Sequence, residues 1–250
     1  MPDIAAQIAA LPGLGWIIFA AALAGLVRGF SGFGTAMIFL PVAAQYLSPV
    51  WAIMALIGMD LFGPLVLVRR AAREASGRDL SLLLVACALS LPVGVWLLTQ
   101  VAPETYRYII SGLALGLVIC LVAGLRYRGR PSAPIVGATG AVAGISGGLA
   151  GVPGPPVILL YMASSLPVAQ VRANNMLFLL GFDAMFLFVL WVSGQGALPP
   201  FVLGLCLAIP NALGSLVGQA IFDPARADMY RYVAYAIVAV SAVLGLPLWD

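Results

Sequence analysis

Arg28 stands in the run GLVRGFSGFG, a guanidinium set among glycines in an otherwise apolar stretch. A planar cation of this kind can hold a sulfite, sulfonate or carboxylate by paired hydrogen bonds. A charge at membrane depth costs about 2.5–3.5 kcal/mol even on the most lenient scale, and that cost usually signals function. The competing reading is an anchor near the interface whose charged head reaches out to water. Around Arg28, Gly29, Ser31, Gly32 and Gly34 are candidates to line a ligand through closely approaching main chain. A second run, GISGGLAGVPGPP, adds Gly147, Gly148, Gly151, Pro153 and Gly154. A broken helix exposes unpaired N–H groups and the positive end of its dipole, which together favour an anion. Small residues also serve close helix packing, but two such clusters at corresponding places favour a site.

Asp60 and Asp183 form a matching pair, each two residues after a glycine and each inside an apolar run. Intramembrane carboxylates tend to face a cavity or a partner. A carboxylate withdrawn from water can take up and release a proton during transport, so both are candidates for proton coupling. The alternative pairs one of them with Arg28, or with a backbone N–H, as a fixed contact. Arg172, Asn174 and Asn175 stand where the helix after the second break begins, and their donors suit an oxyanion. Interhelical hydrogen bonding, or a helix cap at Asn174, is the plainer account. Gln45, Asn211 and Gln219 belong to the same class, whereas Tyr46, Tyr161, Trp51 and Trp191 read as belt or packing residues. Cys87, Cys120 and Cys206 lie singly in apolar runs, and the chain has no histidine. A His-ligated metal and His-based catalysis are therefore excluded, and no cofactor is expected.

The elements that must carry these residues are membrane helices. The chain is 63% hydrophobic and 8% charged, against about 45–50% and about 25% for a soluble domain. Met1 to Leu11 lacks the basic start of a secretory signal, so the first apolar run reads as retained. A polytopic all-α fold is expected, in two repeats. Repeat 1 (1–125) holds a broken segment at 13–47 and helices at 51–68, 80–98 and 106–125; repeat 2 (134–250) holds a broken segment at 134–164 and helices at 175–192, 200–220 and 232–248, with a basic linker at 126–133 between them. Each broken segment can be a re-entrant hairpin, two short tilted helices or one bent helix. Landmarks recur in order: Gly25 with Gly144, Asp60 with Asp183, Pro92 with Pro210, Tyr106-Arg107-Tyr108 with Tyr230-Arg231-Tyr232.

Arginine placement favours inverted repeats over parallel ones. With each broken segment returning to its own side, Arg69, Arg70, Arg73, Arg78, Arg126, Arg128, Arg130, Arg172, Arg226 and Arg231 face the cytoplasm and only Arg107 faces outward, Arg28 being set aside as intramembrane. Both termini are then outside.

The stretches GLVRGFSGFGTAMIFLP, GISGGLAGVPGPPVILLYM and LPVAQVRANN, in a chain of this length with a central basic linker, resemble the TauE/SafE family of sulfite exporters and permeases. Many members carry three glycines in the first break, where this chain has Gly34-Thr35-Ala36, and the second break here reads Pro153-Gly154-Pro155. The resemblance implies a transporter rather than an enzyme. It would move small sulfur-containing or carboxylate anions across the bacterial inner membrane, by alternating access at the repeat interface. Its partners would be the anion and the lipid bilayer, with no nucleic acid; a coupling proton or sodium ion and homo-oligomer formation stay open. The alternatives are a gated anion channel and an intramembrane aspartyl hydrolase built on Asp60 and Asp183.

Overall fold

The computed structural model of the protein describes residues 4–61, 68–124, 129–161 and 166–248. Arg126, Arg128, part of the expected helix at 51–68 and the end of the second broken segment lie outside the described residues. The chain is helical: α1 Ile4–Ala9, α2 Leu14–Ser31, α3 Thr35–Ala43, α4 Pro49–Asp60, α5 Val68–Glu74, α6 Gly77–Gln100, α7 Pro103–Val122, α8 Ala133–Ala150, α9 Gly154–Tyr161, α10 Val168–Val192, α11 Leu198–Ile221 and α12 Ala227–Gly245.

Among the described residues, six helices are long and apolar enough to cross a membrane: α2, α6, α7, α8, α10 and α11. The set differs from the six expected. The leading arms of both broken segments, α2 and α8, join it with 18 residues each, about 27 Å of helix against roughly 30 Å of hydrocarbon. The expected spans at 51–68 and 232–248 are not in it. α4 ends at Asp60 after 12 residues, and α12 places Asp228 and Arg231 in its first turns.

The chain divides into two units: Met1–Asp60 with Ala102–Val118 and Ala197–Asp250, and Leu61–Val101 with Ile119–Gly196. In the first, α2 packs on α11 and α3, α4 packs on α11, and α12 packs on α3. Ile17, Ala20, Ala21, Ala24 and Val27 form the buried stripe of α2 at helical spacing. Small residues bring the main chains together. A Cβ on Gly29 would run into the Ser215 carbonyl and lie 2.9 Å from Gly218 Cα. Beside this seam, Asn211 Nδ2 donates to Ala21 O at 3.1 Å. Arg107, buried on α7, donates from Nε to Gly245 O at 3.0 Å and from Nη2 to Leu246 O at 3.3 Å. It thereby satisfies carbonyls that the end of α12 leaves open, with its charge at the favourable end of the helix dipole.

In the second unit, α8 packs on α6, α10 packs on α6 and α5, and α9 packs on α8 and α10. Gly140, Gly144 and Gly148 recur every fourth residue on α8 and meet Leu83, Cys87 and Leu91 at the same spacing on α6. A Cβ on Gly148 would lie 2.7 Å from Leu91 O and 2.8 Å from Gly94 Cα. α10 turns inward Phe178, Phe182, Phe186 and Leu190. The outward face of α6, with Val85, Leu89, Val93 and Trp96, stays exposed, as a lipid-facing helix requires.

Candidate functional site

Both breaks are built the same way, and both are narrower than the glycine-rich runs. α2 and α8 start 119 positions apart and each ends after 18 residues on a glycine in the left-handed region, Gly32 at φ +80° and Gly151 at φ +71°. The next helix begins three residues later in each case, at Thr35 and at Gly154. A left-handed residue cannot continue a right-handed helix, and only glycine adopts it without a Cβ penalty. Gly29, Gly147 and Gly148 are helical instead. Gly29 and Gly148 lie against the main chain of a neighbouring helix, so the packing account describes their surroundings. Gly147 lies under the Phe182 ring, where a Cβ would also come within 3.0 Å of Pro153 Cβ.

At the first break, Arg28 sits on the last turn of α2 and its carbonyl accepts from Gly32 N–H at 2.8 Å. Its Nη1 donates to Asp60 Oδ1 at 2.6 Å, and the two side chains are 30% and 21% exposed. Asp60 is thus the carboxylate of the two that pairs with Arg28. Ser31 Oγ lies 2.7 Å from Val27 O and 3.0 Å from Phe33 O, tying the turn to the helix before it. Gly34, at φ +103°, precedes α3 and has no side chain with which to cap it. The opening N–H groups of α3 therefore lack both a helical acceptor and a side-chain cap. Thr35, buried at the first position of α3, was not singled out from sequence; its place directly after the last glycine was the available signal.

The second break is chemically different. Pro153 and Gly151 are buried, and Pro155 and Pro156 occupy the first turn of α9, where they remove two of the N–H groups that α3 retains. Ser146 Oγ lies 3.3 Å from Val152 O. The position matching Arg28 at the same 119-residue spacing is Gly147. Asp183 is half-buried on α10, next to Phe182.

Asn174 is fully buried with both ends of its amide engaged: Oδ1 accepts from Ser76 N–H at 2.9 Å and Nδ2 donates to the Tyr161 hydroxyl at 3.2 Å. It caps a helix, but α6 rather than its own. Asn175 keeps a buried amide oxygen without a hydrogen-bond donor among the described residues. Arg172 is exposed at the start of α10. Every described arginine except Arg28 and Arg107 is exposed, which sets these two apart from arginines that mark loops. Among the described residues no cluster of His, Cys, Asp or Glu could hold a metal ion.

The sequence profile of the family described as Sulfite exporter TauE/SafE matches residues 17–244, from α2 through α12. No curated protein and no solved structure gives a match.

Proposed function

The chain belongs to the TauE/SafE sulfite exporter family, a family of multi-pass membrane transporters and not of enzymes, and on that premise we propose a secondary transporter that moves sulfite, a sulfonate or a related small carboxylate anion by alternating access. The bacterial inner membrane is the setting this reading implies. One observation carries it: two helices interrupted by left-handed glycines, one of them with a half-buried arginine on its last turn. The anion rests on Arg28, on Ser31 and the main chain of Gly32 and Gly34, and on the opening N–H groups of α3, where a guanidinium and a helix N-terminus both favour negative charge. Gly151, Pro153 and Gly154 line the other break.

An inverted duplication underlies the arrangement. Its support is the equal length and equal glycine termination of α2 and α8, the same three-residue restart, and loop arginines whose placement is consistent with a cytoplasmic bias.

Purified protein in liposomes should take up at least one anion from a panel of sulfite, sulfate, thiosulfate, sulfoacetate and short carboxylates. Saturable counterflow is expected; flux that rises linearly with concentration would indicate a channel. Arg28→Ala should raise the half-saturating concentration by about tenfold or more, the loss of one charge-assisted contact. Uptake of none of these anions by the wild-type protein would overturn the reading.

A further inference from the structure

We propose that Asp60 is the resident counter-anion of Arg28 and carries a coupling proton: protonation of Asp60 releases the guanidinium to the substrate, so that a proton enters the site with the anion. This rests on the transport reading above and adds the coupling ion and its carrier.

The geometry of the pair is that of an occupied site. Asp60 bonds Arg28 through one nitrogen, Nη1, at 2.6 Å. Among the described residues no other group bonds this side chain, so Nε and Nη2 are available to a second acceptor. Both side chains are part-exposed in the fold.

The carboxylate depends on this contact. Asp60 is the last residue of α4, where the negative end of the helix dipole disfavours a second negative charge. Arg28, on the last turn of α2, is favoured by its own helix with or without Asp60. An anion that takes the guanidinium therefore leaves Asp60 beside a helix C-terminus with no cation, and a proton on its carboxylate removes that penalty. The balance is simple. Arg28 with ionised Asp60 is neutral, and Arg28 with a monovalent anion is neutral only if Asp60 holds a proton.

No other charge on the packed elements can substitute. α3 and α11, which pack on both α2 and α4, carry no charged residue, and Cys206 is the one titratable group on them. On α12, which packs on α2, Asp228 is bonded to Arg231 at 3.2 Å, and the remaining titratable groups are Tyr230, Tyr232 and Tyr235.

The test uses methanesulfonate and sulfate, which hold no proton near neutral pH, so that any proton taken up belongs to the protein. Binding of methanesulfonate to purified wild-type protein in weakly buffered solution should draw in about one proton per anion, read with a pH indicator. In Asp60→Asn, proton uptake should vanish, and anion affinity should rise by about tenfold and stop depending on pH, since the competing carboxylate is gone. Anion binding by the wild type without proton uptake overturns this proposal and leaves the transport reading standing. So does an Asp60→Asn protein whose uptake still follows an imposed pH gradient. If neither probe nor any anion of the panel binds, both readings fall. Should Asp60→Asn not fold, the wild-type proton count decides by itself.

Discussion

Arg28, Arg107 and Asn174 are polar side chains in a chain that offers little else to bond, and each is committed to a partner. Arg107 closes the end of α12, Asn174 joins α6, α9 and α10, and Arg28 holds Asp60. The first two have their polar atoms turned onto main chain or a buried hydroxyl, whereas Arg28 meets an ionisable partner and keeps donors in reserve. For Asn174 two magnitudes compete. An interhelical hydrogen bond in a membrane averages only about 0.6 kcal/mol, but leaving the part-buried Ser76 N–H without an acceptor costs up to about 1–3 kcal/mol. Because Asn174→Ala would strand the Ser76 N–H, the larger figure governs. Thermal unfolding in detergent should show destabilisation of about 1–3 kcal/mol, and unchanged stability would mean that the Ser76 N–H finds water instead.

At the scale of the element, the glycines of this chain divide by what a methyl group would meet. On α8, Gly144 and Gly148 touch the main chain of α6, so added bulk must push two helices apart. On α7, Gly112 has nothing within 4 Å. Gly148→Leu should therefore destabilise by about 1–3 kcal/mol or more through overpacking. Gly112→Ala should be neutral or stabilising by up to about 1 kcal/mol, since it only improves helix propensity. Apparent melting temperatures of the two variants, compared in the same detergent, check the pair. Equal destabilisation would show that the α8 seam is loose. Gly32 and Gly151 form a third group, required for backbone conformation, and at Gly32 an added methyl group would meet nothing within 4 Å.

At the scale of the molecule, each unit takes its broken helix from one half of the sequence and the long helix that covers it from the other. α2 and α3 are covered by α11 and α12, and α8 is covered by α6. Neither half can then bury its own glycine seam. A fragment of residues 1–130 or of residues 131–250 should aggregate or be degraded when expressed alone. Co-expressed, the two should assemble into a complex recoverable through a tag on either one. A single half that is monodisperse and protease-resistant would contradict this exchange.

Composition and order of residues alone settle the solvent and the class: so few charges and so many apolar runs can fold only where lipid replaces water, and uninterrupted apolar runs of about 20 residues then cross as helices. That each glycine-rich run interrupts its helix was legible too, because clustered glycines, joined by prolines in the second run, weaken helix continuation. What those runs do not reveal is which glycine breaks and which packs: Gly29 is helical and lies against another helix, whereas Gly32 takes the left-handed conformation with nothing beside it. The same holds for Asp60, whose partner lies 32 residues away on another helix, and for the exchange of covering helices between halves. These depend on contacts between distant segments, and hydrophobic pattern along a chain carries no information about which neighbour each face will meet.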